Sequence, residues 1–193
     1  MHGLYLGVTQ IGYSFTGGLW PGMASGTALV ARRLRDAQET RYLDLSGCDL
    51  SKVPDAIYVM LKSVPINKCT MAHNMLTKIP SKFPSNFTKL TELDLSKNRL
   101  NQFPPDMHVM QDIRVLNLSN NALESVPLFV YSLPNLQELF LQNNCIMDVE
   151  VSRLEDIESL SHVNLQNNPI SDDLKSQLQS CNFTVLLGNS SVS

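Results

Sequence analysis

Six times between residues 40 and 170 the chain repeats one eleven-position pattern, and this constrains the fold more than any other feature of the sequence. LTELDLSKNRL (90–100), IRVLNLSNNAL (113–123) and LQELFLQNNCI (136–146) agree position for position. LSHVNLQNNPI (160–170) follows with Val163 at one leucine position. INKCTMAHNML (66–76) uses Cys69 and Met71 as its apolar pair, and TRYLDLSGCDL (40–50) has Cys48 where the others have asparagine. Counted at that position (48, 74, 98, 121, 144, 168), the spacings are 26, 24, 23, 23 and 24 residues. A constant period of this length means that each copy is one structural unit, unable to bury its apolar face except against its neighbours.

Within a copy, alternating leucines predict a short strand with one buried face. The period and the LxxLxLxxNxL spacing are those of a leucine-rich repeat. The predicted fold is therefore an α/β solenoid, a short, curved, right-handed horseshoe of about six repeats with a parallel concave sheet. The asparagine follows the strand, where the backbone leaves the ladder. An inward amide there offers two donors and an acceptor to backbone groups that lose their partners. Asn74, Asn98, Asn121, Asn144 and Asn168, with Cys48 at the first position, are thus expected to form a structural ladder rather than a catalytic set.

The return segments carry a second recurring pair: Val53-Pro54, Ile79-Pro80, Phe103-Pro104 and Val126-Pro127. The apolar member is expected to plug the core, while proline opens a helical turn. End repeats need covers, because each would otherwise face water on one side. GTALVARRLRDAQET (26–40) predicts an amphipathic N-terminal capping helix that turns Leu29, Ala31, Leu34 and Ala37 inward among Arg32, Arg33 and Arg35. Ser171-Asp172-Asp173 reads as a helix start, with Leu174 and Leu178 facing the core and FTVLL (183–187) closing the last strand edge. The expected organisation is an extension or alternative start over 1–22, a capping helix over 23–39, six repeats over 40–182, and a cap strand and tail over 183–193.

Composition adds a compartment but no chemistry. The apolar fraction of 43% suits a folded domain, and a net charge of −3 gives no nucleic-acid signal. The charge is uneven, +3 over residues 1–135 and −6 over 136–193, with much of the acid in DVEVSRLEDIESL (148–160). The four cysteines, Cys48, Cys69, Cys145 and Cys181, show neither zinc spacing nor the clustered pairs that close secreted repeat proteins. A reducing, cytoplasmic location is the expectation. The glycine-rich, charge-free segment before Met23 lacks the basic start and continuous apolar core of a signal peptide. No run reaches the length of a membrane span.

The stretches LVARRLRDAQETRYLDLSGCDLSKVPDAIYVML, AHNMLTKIPSKF and NNCIMDVEVSRLEDIESLSHVNLQNNPI resemble a small family of cytoplasmic leucine-rich-repeat proteins. The Ile-Pro type of return segment likewise resembles the intracellular class that includes Ras-pathway scaffolds. The resemblance spans roughly residues 28–190 and implies no catalytic residue and no cofactor.

Function is then expected from surfaces. His2, His73, His108 and His162 have no metal-ligand spacing, and neither a phosphate loop nor a nucleophile elbow is present. The expected role is a non-enzymatic, monomeric module without metal or cofactor that binds a protein, as yet unidentified, and not nucleic acid, and that does not insert into a membrane. The outward strand positions fall into two columns: Asp44, Thr70, Asp94, Asn117, Phe140, Asn164, and Tyr42, Lys68, Glu92, Val115, Glu138, His162. Phe140 is the expected anchor, with Val115, Asn117, Glu138, His162, Asn164, Asp94 and Tyr42 completing the partner-binding set. The alternative is a scaffold that docks through the acidic convex face or the ends.

Overall fold

The computed structural model describes residues 24–188. The expectations for 1–22 and for the final tail lie outside the described residues. Seven three-residue strands form one parallel sheet in chain order: β1 Tyr42–Asp44, β2 Lys68–Thr70, β3 Glu92–Asp94, β4 Val115–Asn117, β5 Glu138–Phe140, β6 His162–Asn164 and β7 Thr184–Leu186. Strands this short have no independent stability. They persist because successive strands pair in an unbroken register, in which Leu43, Cys69, Leu93, Leu116, Leu139, Val163 and Val185 stand opposite one another. The first six of these are buried, and the row Leu45, Met71, Leu95, Leu118, Leu141 and Leu165 packs behind them.

The return sides differ in local structure but share their packing. They use α2 Ala56–Met60, α3 Lys82–Asn86, 3-10 turns at Pro105–Val109 and Leu128–Ser132, and α4 Val151–Glu155. Val53, Ile79, Val126 and Val149 are buried, so the plug persists at Val149 without its proline. Phe103 differs. Its ring is only half-buried and lies tilted against Phe129 at 5.2 Å, because an aromatic ring overfills a slot shaped for valine or isoleucine.

At the N-terminal end, α1 (Ala24–Thr40) lies against β1 and buries Val30, Leu34 and Ala37 in the shared core. This corrects the stripe read from the sequence. Ala31 is exposed and Leu29 only half-buried. Residues 30, 34 and 37 lie on one helical face, whereas 31 is turned about 100° from 30. At the other end, α5 (Asp172–Gln179) starts at Ser171, whose Oγ accepts the Leu174 N–H, and buries Leu174 and Leu178.

The asparagines stitch successive coils together. Asn98 Nδ2 donates to Leu95 O and Ser96 O in its own turn and to Met71 O in the preceding coil, while its Oδ1 accepts the Leu76 N–H. Asn74, Asn121, Asn144 and Asn168 likewise join their own turn to the coil before. The residue before each member of the ladder is left-handed: Gly47, His73, Lys97, Asn120, Asn143 and Asn167 all have φ between +53° and +59°. Asparagine and glycine suit that region, which histidine and lysine enter only at some cost.

The first coil, with Cys48 in place of asparagine, is completed from outside the repeat. Arg33 on α1 reaches in and donates from Nη1 to Ser46 O at 2.5 Å, with Asp44 Oδ1 at 3.3 Å and Cys48 Sγ at 3.4 Å. Ser46 O corresponds to Ser96 O, which Asn98 serves two coils later. The Cys48 thiol itself donates to Ser46 O only at 3.6 Å, so the guanidinium adds the stronger donor that an amide provides elsewhere.

Candidate functional site

Strand alternation sends one column of side chains from the middle of the sheet to the concave surface, and the geometry of that column is strict. Asp44, Asp94, Asn117 and Asn164 each accept the backbone N–H two residues on with Oδ1, and Thr70 does so with Oγ1. These are Asx- and Thr-type turns that steer the chain out of the strand. Asp94, Asn117 and Asn164, read from the sequence as partner-facing, thus each commit one oxygen to the fold. Among the column residues of β1 to β6, Phe140 is the one that cannot; Leu186, next in register on the terminal strand β7, also lacks an acceptor. Among the described residues the Gln142 N–H has no side-chain acceptor, and Gln142 Oε1 is itself buried without a partner.

The neighbouring column carries the charge. Lys68 Nζ and Glu92 Oε1 pair at 2.6 Å across β2 and β3, both more than 40% exposed. Between the columns lies an open trough of about 520 Å³ lined by Tyr42, Lys68, Thr70, Glu92, Asp94, Val115, Asn117 and Phe140. Five of the expected binding residues (Tyr42, Asp94, Val115, Asn117, Phe140) therefore share one concavity. Glu138, His162 and Asn164 stand further along the sheet, with Glu138 beside Val115 and His162 in the ladder. Lys68, Thr70 and Glu92 also line the trough; their signal in the sequence is their place in the two columns.

The trough is electronegative. Burial raises the Tyr42 phenol pKa, and the nearby Asp44, Cys69 and Asp94 raise it further. The Cys69 thiol, at the trough floor, is pushed up by burial first and then by Asp44 and Asp94. Asp94 has its Oδ1 on the Ser96 N–H and no basic partner among the described residues. No group of three or more metal-ligating side chains comes together there or elsewhere among the described residues.

Two of the concavities among the described residues lie on the return side. Phe103, Pro104, Pro127, Leu128, Phe129 and Arg153 are among the residues lining a groove of about 510 Å³ on the return side, and Leu128 there is 69% exposed. Sequence reasoning misses it, because a residue opening a 3-10 turn carries no periodic signal. Gln111, Tyr131, Asp156 and Glu158 line a shallower depression of about 360 Å³ on the acidic side.

A one-layer parallel sheet, helical or 3-10 returns and an inward asparagine ladder define the leucine-rich-repeat class of solenoid. The chain belongs to the leucine-rich repeat family: models described as Leucine Rich Repeat, Leucine rich repeat and Leucine Rich repeats (2 copies) match residues 39–60, 70–123 and 111–154. It is similar to leucine-rich repeat-containing protein 20 of Mus musculus, with 46% identity over 157 residues, 79% of this chain and 85% of that one. The Homo sapiens protein of the same name is 34% identical over 96 residues, 48% of this chain and 52% of that one. Among solved structures, TLR13 in the TLR13–ssRNA13 complex superposes with a TM-score of 0.64 at 20% identity, over 77% of this chain and 21% of TLR13. That likeness is one of fold. Family membership supports a protein-interaction module, and no helix among the described residues is long and apolar enough to cross a membrane.

Proposed function

We propose that the protein is a non-enzymatic, intracellular interaction module whose concave face binds another protein, with Phe140 as the anchor and Val115, Asn117, Glu138, His162, Asn164, Asp94 and Tyr42 around it. One observation carries this reading. Within the column from β1 to β6, where Asp44, Thr70, Asp94, Asn117 and Asn164 each give the turn an acceptor, position 140 gives up that hydrogen bond for an aromatic ring in the concave surface. A residue that breaks a local structural rule without a compensating packing gain marks a place where binding outweighs stability. Phe140 is only partly buried, so the core does not require it.

An intracellular setting is supported by Cys48, Cys69, Cys145 and Cys181, all free thiols. Nucleic acid is not the proposed partner, since carboxylates in the trough would repel phosphate. The protein acts as a monomer in this reading, and the trough needs no residue from a second copy.

Phe140→Asn tests the proposal. Asparagine is the residue already used at 117 and 164, so the substitution restores the turn acceptor while removing the anchor. Proteins captured from cytosolic extract by the wild-type chain and lost with Phe140→Asn support the concave face; equal capture by both defeats it. A second reading, docking through the acidic side, rests on the depression beside Asp156 and Glu158. Loss of capture with Asp156→Lys and Glu158→Lys, and not with Phe140→Asn, would favour that surface.

A further inference from the structure

The trough changes chemistry along its length. It opens at the half-exposed Tyr42 ring on β1, passes the Lys68–Glu92 pair and the Asp94 carboxylate, and ends at Phe140 on β5. The two aromatic residues are four strand spacings apart, about 19 Å at roughly 4.8 Å per strand. The negative charge between them is not required by the fold. Position 94 holds the same turn as positions 117 and 164, where a neutral asparagine accepts the same N–H. The turn needs an acceptor and not a charge. Lys68 is already engaged by Glu92, which leaves the Asp94 carboxylate without a cation among the described residues.

We propose that the trough receives an extended polypeptide segment, running across the strands, that places one basic side chain at Asp94 between two apolar side chains. One apolar side chain rests on Tyr42 and the other on Phe140 and Val115. An extended chain advances about 3.3 Å per residue, so about six residues span the two aromatics and the basic residue falls near the middle. An acidic segment would meet like charge at Asp94, with Glu138 on β5 adding to it. A wholly apolar segment would cover Asp94 and leave a desolvated, unpaired carboxylate. This inference rests on the concave-face reading and adds the chemistry of the partner.

Selection of peptides from a displayed random dodecapeptide library on the full chain tests it. Selected peptides are then measured by fluorescence anisotropy against wild type, Asp94→Asn and Phe140→Asn, with melting curves confirming that each variant folds. The expected peptides carry Arg or Lys within three or four residues of large apolar side chains on both sides. Asp94→Asn is expected to weaken them about tenfold at low salt, less at high salt, as for a partly exposed charge pair. Phe140→Asn is expected to remove binding. Peptides that depend on Phe140 but lack a basic residue, or that bind Asp94→Asn as well as wild type, overturn the inference and leave the concave-face reading standing. Peptides indifferent to Phe140→Asn overturn that reading as well. Enrichment of acidic peptides, or no selected peptide at all, rules out a basic linear segment.

Discussion

At the residue scale the ladder asparagines make the sharpest demand. Asn98 is buried and serves three carbonyls and one N–H, so nothing of different chemistry fits. Asn98→Ala leaves those groups buried without partners and should cost about 1–3 kcal/mol in chemical denaturation. Asn98→Asp keeps the shape but turns an acceptor towards three oxygens, and should destabilise at least as much. The thiols make an independent test of burial. Burial is the chief cause that pushes the Cys48 and Cys69 thiols up, so less reactive thiolate is present near neutral pH, and the surrounding core also blocks reagents. Cys145 is exposed. Titration with a disulfide reagent should modify Cys145 in the native protein and reach Cys48 and Cys69 only on unfolding. Fast native labelling of Cys69 would refute the inward register of β2.

At the scale of elements, α1 does more than cover apolar surface. Three arginines look equivalent in ARRLR, yet only Arg33 reaches the first coil and adds a charged donor at Ser46 O, which the Cys48 thiol serves only weakly. Arg33→Met should cost about 1–2 kcal/mol by removing the charged donor to Ser46 O, which keeps only the weak Cys48 thiol, while Asp44 Oδ1 stays bonded to the Ser46 N–H and Oγ. Arg32→Met and Arg35→Met, on exposed positions, should each fall within about 0.5 kcal/mol of wild type. Equal effects from all three would mean that the helix contributes through general charge and not through this contact. A Cys48→Asn variant combined with Arg33→Met should recover part of the loss, because the amide would then serve Ser46 O from within the repeat.

At the scale of the whole molecule, stability and binding pull in opposite directions at one position. Phe140→Asn should leave the melting temperature unchanged or raise it, by up to about 1 kcal/mol of added stability, since it supplies an acceptor for the Gln142 N–H. A loss of more than about 1 kcal/mol would identify Phe140 as a packing residue, and the proposed anchor would fail. The sheet also sets a size limit. A trough crossing five strands suits a short segment of a partner more readily than a broad globular face, which would bury about 800 Å² on each side.

Much of this architecture is legible in the sequence by itself. The period of 23–26 residues specifies stacked strands. Alternation assigns Leu93 and Leu95 inward and Glu92 and Asp94 outward, and Ser171 marks the start of α5. Such features depend on residues a few positions apart, where strand and helix geometry leave few choices. Spacing alone puts Ala31 in the core, because a short stretch rich in alanine and leucine fits neighbouring helical phases equally well; packing against β1 chooses the phase that buries Val30. The same holds for function. Phe140 stands out in the sequence as an aromatic in a polar column, but its forfeited turn acceptor is visible only beside the turns that the other column residues make. Arg33 against Ser46 and Lys68 against Glu92 join residues 13 and 24 positions apart, through the register of one coil on the next. That register is a property of the packed solenoid: a single repeat specifies which side chains face the partner, and only the stack decides which of them stand together.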